Sequence, residues 1–155
     1  MKKNIGFSNR MLAEPAERIK LIEDAGFDGV FIHSQYHPRQ YIDLLCKSKL
    51  NIETLHLPYR KFIEGKLIDP YYANAIWRGD EEADLYEKLL IDEISFAHDY
   101  GIKIVVMHIT GGSNPPLISK SGMAHLSKIL EICEKYGITL CLENLRRLDY
   151  LEYVF

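Results

Sequence analysis

Residues 99–109, with the sequence DYGIKIVVMHI, decide the fold class. A helical pattern stops at Gly101, one apolar residue follows, and a β-branched strand pattern begins. The same junction occurs at residues 24–27 (DAGF) and 135–138 (KYGI). Glycine suits the left-handed position just after a helix C-terminus, and the apolar residue after it folds back onto the last turn. Each copy therefore predicts a junction between a helix and the next strand.

Strands and helices alternate along the whole chain. Strands are predicted at residues 3–7, 28–33, 51–56, 103–109 and 138–143. Helical patterns lie between them at about residues 15–25, 38–49, 80–100 and 122–136, and the residues from Asp149 onward are typical of the first turns of another helix. Strict alternation of this kind predicts a parallel sheet with helical crossovers.

Two parallel α/β folds compete at this chain length. A doubly wound, flavodoxin-like domain is complete within about 150 residues, but it calls for a phosphate-binding loop or an acidic cluster after the first strand. Residues 8–11, SNRM, offer neither, and the sequence stops within its last helical pattern. We therefore expect a single domain over residues 1–155 that forms a partial (β/α)8 barrel of about five β/α units, truncated after the fifth strand.

The composition favours a cytoplasmic protein with a small-molecule partner. The formal net charge is −3, and the absence of a Lys/Arg block argues against a nucleic-acid surface. No segment resembles a signal peptide or approaches the roughly 20 apolar residues of a membrane span. Cys46, Cys133 and Cys141 are odd in number and show no CxxC spacing, so they are expected to be buried thiols in a reducing compartment.

Ionisable residues lie at or next to the ends of the second to fifth predicted strands. These residues are His33, His56, His108 and Glu143. The C-terminal ends of parallel strands form the ligand site in β/α folds, and neighbouring strands lie about 5 Å apart. Imidazole and carboxylate together are ligands for a divalent transition metal. The alternatives are solvated histidines at loop junctions and a structural salt bridge from Glu143.

Other polar and aromatic residues are less specific. His37, His98 and His125 are expected on the surface, because one lies in a loop and two lie on helical patterns. Arg146 and Arg147 could reach a phosphate at the same rim or could be solvated. The longest connection, residues 57–79, contains several aromatic residues, namely Tyr59, Phe62, Tyr71, Tyr72 and Trp77. Such a loop is often functional, although its rings could equally pack on a helix.

Three short motifs, HLPY (56–59), VVMH (105–108) and LENL (142–145), resemble the xylose isomerase-like TIM-barrel superfamily. That group contains sugar-phosphate isomerases and epimerases and the zinc-dependent abasic-site endonucleases. The order and spacing of the motifs carry the resemblance over the whole chain. It implies a metal-dependent isomerase or epimerase of a sugar or sugar phosphate, which moves a proton next to a carbonyl through an enediolate.

The resemblance also implies roles for individual residues. Glu143 corresponds to a glutamate that binds a divalent metal (Mn, Co, Zn or Mg) and serves as one of two acid/base residues. His56 and His108 are either metal ligands beside Glu143, as in the endonucleases, or substrate-binding residues, as in the sugar enzymes. Tyr59 and Trp77 resemble the aromatic wall over the sugar.

Two departures limit what the resemblance implies. Strands six to eight would supply the second acid/base glutamate and the remaining metal ligands, so this chain alone is expected to be inactive and its metal incompletely ligated. Phe31 stands where many relatives have a glutamate, which weakens any transfer of substrate identity. The alternatives are a zinc phosphodiesterase, disfavoured by the acidic balance, and a non-catalytic half-barrel module. In such a half-barrel module, the exposed sheet edges would pair with another copy of the chain, which would give a homo-oligomer.

Overall fold

The computed structural model describes residues 2–7, 14–35, 39–143 and 148–154. The strands are β1 (Asn4–Gly6), β2 (Gly29–His33), β3 (Asn51–His56), β4 (Lys61–Ile63), β5 (Lys66–Asp69), β6 (Ile104–His108) and β7 (Thr139–Glu143). The helices are α1 (Pro15–Asp24), α2 (Arg39–Cys46), a 3-10 helix (Tyr72–Trp77), α3 (Glu81–Asp99), α4 (Lys120–Tyr136) and α5 (Leu148–Val154). The predictions for residues 8–11, His37, Arg146 and Arg147 lie outside the described residues. No described helix is long and apolar enough to cross a membrane.

The main sheet has five parallel strands in the order β1-β2-β3-β6-β7. This spatial order follows the order along the chain. A flavodoxin-like sheet would instead place its first strand between the second and third. The fold is therefore α/β with the sequential strand order of a (β/α) barrel, of which the described strands form a part.

The two faces of the sheet differ in burial because successive side chains of a strand point to opposite sides. Leu55, Val105 and Met107 have no exposed surface and belong to the core formed with the helices. Phe31, on the opposite face, is 45% exposed. His56 alternates with Leu55 and His108 with Met107, so both histidines lie on this second, inner face.

The glycine junctions form as predicted. Gly26, Gly101 and Gly137 have φ angles of 75°, 70° and 62°, the left-handed conformation that glycine adopts without strain. The amide of Ile138, just after Gly137, donates to the carbonyl of Cys133 at 2.9 Å. This bond satisfies a carbonyl of the last helical turn, so each junction ends a helix and starts a strand.

The connection over residues 57–79 contains elements that the sequence did not predict. The hairpin β4–β5 turns at Glu64 and Gly65, which both have positive φ, and the 3-10 helix follows it. Short strands carry little alternating pattern, which explains the omission. Helix α4 also begins earlier than expected, at Lys120, because the side chain of Ser119 accepts a hydrogen bond from the amide of Gly122.

Two predictions about burial were wrong. His125 is 6% exposed rather than a surface residue, because its Nδ1 lies 2.5 Å from Glu87 Oε2 between α3 and α4. Cys46 and Cys141 are exposed, and only Cys133 is buried as expected. Cys46 is the last residue of α2, and Cys141 lies on the inner face of β7. His98 is exposed, as predicted.

Candidate metal centre

His56, His108 and Glu143 meet at one end of the sheet. Each is the last residue of its strand, β3, β6 and β7 respectively. His108 is directly opposite Glu143 in the parallel register, and His56 is opposite Val106, two residues before His108 on β6. The three side chains therefore converge because the C-terminal ends of neighbouring parallel strands lie side by side.

The donor atoms of these three side chains form a tight triangle. The Nε2 atoms of His56 and His108 are 3.1 Å apart. Glu143 Oε2 lies 3.3 Å from His56 Nε2 and 3.6 Å from His108 Nε2. The imidazole side chains are 14% and 11% exposed and the Glu143 side chain is 36% exposed. Solvent and a ligand therefore reach the triangle from the carboxylate side.

The hydrogen bonding of His56 fixes its tautomer. His56 Nδ1 lies 3.1 Å from the carbonyl oxygen of Leu57, and a carbonyl only accepts, so Nδ1 carries the proton. In this tautomer, Nε2 holds a lone pair directed toward His108 and Glu143. A carbonyl on the second ring nitrogen is typical of metal-binding histidines, because it orients the ring and raises its basicity.

Burial favours the neutral form of His108. Its burial, followed by the nearby His56 and then Arg60, lowers the pKa of His108 to about 4, although the Glu143 carboxylate opposes the shift. A neutral imidazole at neutral pH keeps the lone pair that a metal requires.

The spacing of the triangle fits a small divalent cation. Tetrahedral ligand atoms at about 2.0–2.2 Å from a metal are separated by roughly 3.3–3.6 Å from one another. The two separations from Glu143 Oε2, 3.3 and 3.6 Å, lie in this range, and the 3.1 Å between the two Nε2 atoms lies just below it. Two imidazoles and one carboxylate favour zinc, cobalt or manganese over magnesium, which prefers oxygen ligands.

Aromatic rings form one side of the candidate metal centre. The ring of Tyr59 stacks on His108 with a centroid distance of 4.3 Å and lies 5.3 Å from the ring of His56. His33 stacks on the other imidazole, with its centroid 4.4 Å from that of His56. The structure therefore brings Tyr59 and His33 to the cluster.

Trp77 is not brought to this cluster. It is 3% exposed, its indole nitrogen donates to the carbonyl of Ile109 at 2.6 Å, and its ring packs edge-on against Tyr150. Asn74 makes a similar link, since its amide pairs with both the N–H and the carbonyl of Gly111. The contacts of Trp77 are therefore those of a core residue that supports the loop after β6.

Two polar residues near the cluster were missed by the sequence analysis. Gln35 Oε1 accepts hydrogen bonds from the amides of Tyr59 and Arg60 at 3.0 and 3.1 Å. The guanidinium carbon of Arg60 lies 5.0 Å from the centre of the Tyr59 ring. Both residues closely follow strands, β2 and β3, and this position at the C-terminal rim is the signal that could have identified them.

Solved structures resemble this chain over nearly all of its length. A xylose isomerase-like TIM-barrel protein from Mycobacterium smegmatis, in complex with magnesium, aligns with 99% of the chain at a TM-score of 0.66 and 12% identity. The fold of the chain is that of part of a TIM barrel. The 3-keto-D-glucoside 4-epimerase from E. coli aligns with 95% at a TM-score of 0.65 and 18% identity. The IOLI protein with a zinc atom aligns with 92% at a TM-score of 0.64 and 16% identity.

The alignments cover only part of these proteins. The chain spans 61%, 57% and 51% of the lengths of the three structures, respectively. No protein-family model and no curated protein matches the sequence. At these identities the likeness shows the fold, and the activity has to be argued from the site.

Proposed function

We propose that this chain is part of a metal-dependent isomerase or epimerase of a sugar or sugar phosphate. The observation that carries the proposal is the triangle of His56, His108 and Glu143, whose donor atoms are spaced for one divalent cation. The similarity in fold to a 3-keto-D-glucoside 4-epimerase and an L-ribulose 3-epimerase supports this reaction class.

The proposed chemistry assigns a task to each residue. A bound divalent cation would polarise the sugar carbonyl and stabilise an enediolate. His56 and His108 would hold the cation through their Nε2 atoms. Glu143 is both a ligand and the base that removes the proton next to the carbonyl, and its partly exposed carboxylate can reach a substrate. Tyr59 covers one side of the site and contacts the apolar face of the sugar.

The residues described by the structure supply this cluster with a single carboxylate, Glu143. An epimerisation needs one group to remove the proton and a second group to return a proton on the opposite face. We therefore propose that this chain alone does not turn over a sugar, although it binds the metal.

Metal binding tests the proposal directly. Titration calorimetry with zinc, cobalt and manganese should show one site, and His56→Asn, His108→Asn and Glu143→Gln should each weaken binding by more than about tenfold. His98→Asn is the matched control, because His98 is exposed on α3. Unchanged affinity in all three cluster variants would rule out this metal centre.

Proton exchange tests the chemistry separately. Ketoses incubated with the metal-loaded chain in deuterated water should form no epimer, as seen by NMR. Formation of an epimer would show that the chain alone is active. If exchange without inversion occurs and is lost in Glu143→Gln, Glu143 is the base and only the second group is missing.

A zinc phosphodiesterase is the second candidate. It is favoured by the two imidazoles, which direct both Nε2 atoms to the Glu143 carboxylate. The net charge of −3 argues against a DNA partner. Cleavage of a duplex with an abasic site by the zinc-loaded chain would favour this candidate over the isomerase.

We also propose that the chain self-associates through its sheet edges. Among the described residues, β1 pairs only with β2, and β7 pairs only with β6. Unpaired backbone groups at such edges favour pairing with another strand. Sedimentation velocity should show a concentration-dependent dimer or larger species, and a strict monomer at high concentration would contradict this proposal.

A further inference from the structure

The side-chain amide of Gln35 presents an unused donor beside the candidate metal centre. Its oxygen accepts hydrogen bonds from the amides of Tyr59 and Arg60, and these two donors fix which end of the amide is oxygen. The nitrogen, Nε2, therefore points away from them. It is buried and has no hydrogen-bond partner among the described residues. Buried donors are rarely left unsatisfied, so Nε2 marks a place for an acceptor.

Arg60 brings a positive charge to the same region. Its backbone amide is bound to the Gln35 side chain, and its guanidinium carbon lies 5.0 Å from the centre of the Tyr59 ring. That ring stacks on His108 at 4.3 Å. The Tyr59 ring therefore contacts both the Arg60 guanidinium and the His108 imidazole.

A guanidinium and an amide nitrogen both donate and neither accepts, so a ligand that contacts both must supply acceptor oxygens. Negatively charged oxygens suit arginine best, because charge-assisted hydrogen bonds are the stronger ones. We propose that Gln35 and Arg60 form an anion-binding subsite beside the metal cluster. If the proposed function holds, the substrate is a sugar that carries a phosphate or a carboxylate, with its carbonyl at the metal.

The test uses the metal-free chain, so that an anion cannot bind through a metal. Inorganic phosphate and glycolate are titrated against the isotope-labelled protein with a chelator present, and glycerol is the neutral probe. The amides of Tyr59 and Arg60 should shift with the anions and not with glycerol. Arg60→Met should weaken anion binding by about tenfold or more. Arg78→Met is the matched control, since Arg78 is exposed at the end of the 3-10 helix.

Gln35→Glu separates anion binding from a structural role of Gln35. A glutamate keeps an oxygen that accepts from both backbone amides but places negative charge where Nε2 lies. The variant should therefore fold normally and lose anion affinity by about tenfold or more. A purely structural Gln35 would leave anion binding unchanged.

The outcomes separate the ligand classes and the two proposals. Tighter binding of phosphate indicates a sugar phosphate, and tighter binding of glycolate indicates a sugar acid; both support the subsite. Absence of anion binding at millimolar concentrations, or equal binding by wild type, Arg60→Met and Gln35→Glu, overturns it. Metal affinity is measured on the same variants, so loss of the subsite and failure of the metal centre are distinguishable.

Discussion

The Nε2 atoms of His56 and His108 lie 3.1 Å apart, and both face the carboxylate of Glu143. Three electron-pair donors at this spacing repel one another unless a proton or a cation lies among them. A cation that binds the folded chain and not the unfolded chain stabilises the fold by mass action, by about 2.7 kcal/mol at a concentration of 100 times Kd.

Zinc, cobalt and manganese should therefore raise the melting temperature of the chain, and magnesium should raise it less, because two of the three ligands are imidazoles. Thermal unfolding with the chloride salt of each metal measures the shift in melting temperature and so ranks the four metals. A larger shift with magnesium than with zinc would contradict the ligand assignment, and His108→Asn should abolish the zinc-induced shift.

The stability of the metal-free chain should fall as the pH is lowered. The pKa of His108 is lowered from 6.5 to about 4, mainly by burial, so the unfolded chain takes up this proton before the folded chain does. Between about pH 6.5 and pH 4, this group lowers the free energy of unfolding by on the order of 3 kcal/mol. Urea unfolding at a series of pH values measures the loss. His108→Asn should reduce the slope and His98→Asn should retain it; equal slopes in the two variants would exclude His108 as the source.

Gly122→Ala should destabilise the protein. A methyl group at this position would lie 2.3 Å from Cε3 of Trp77, whose ring is fixed in the core. Overpacking of this kind costs about 1–3 kcal/mol. Gly79→Ala is the matched control, because its nearest contact would be an ordinary 3.7 Å from Ser121. Chemical denaturation of both variants gives the comparison, and equal stability would show that Trp77 can move aside.

The pair Glu87 and His125 should stabilise the contact between α3 and α4. Both side chains are largely buried, at 13% and 7% exposure, and Lys128 also contacts Glu87. Glu87→Gln removes the charge from this network, and we expect a loss of about 1–3 kcal/mol in the free energy of unfolding. Glu131→Gln, on the exposed face of α4, should change it by less than about 0.5 kcal/mol. Similar losses of unfolding free energy in Glu87→Gln and Glu131→Gln would mean that the Glu87–His125 pair does not stabilise this contact.

Two of the three cysteines should react in the native protein. Cys46 and Cys141 are exposed, whereas Cys133 is buried and its burial raises the pKa of its thiol to about 11. Titration with a thiol reagent should therefore count two thiols before denaturation and three after it. Cys46→Ser and Cys141→Ser should each lower the native count by one, and Cys133→Ser should leave it unchanged. Fast modification of Cys133 would indicate that the core under α4 opens readily.

The sequence predicted the main sheet well because its signals are local. The glycine at each helix end requires a left-handed conformation, and Gly26, Gly101 and Gly137 adopt it. The hairpin strands, with three and four residues, are too short for a periodic pattern and were not predicted. His125 was placed on the surface because a single helix pattern does not reveal an acidic partner on another helix.

His56, His108 and Glu143 could be predicted from the sequence because the ends of neighbouring strands in a parallel sheet lie side by side, independently of the loop conformations. Their spacing, and the fixed tautomer of His56, depend on the structure. Gln35 and Arg60 were missed because loop residues have no periodicity that predicts side-chain direction. For the same reason, the sequence did not reveal the direction of the Trp77 side chain. Trp77 was expected at the substrate, but it is buried beneath α4.

The hairpin β4–β5 is secured at its base and free at its turn. At one end Lys61 Nζ lies 2.5 Å from Glu82 Oε1 on α3, and the 3-10 helix that follows the hairpin is tied to the loop after β6. None of these bonds involves the turn at residues 64–65. Residues inserted at this turn would leave the candidate metal ligands in place. Evolution and protein engineering can therefore lengthen this turn without rebuilding the site.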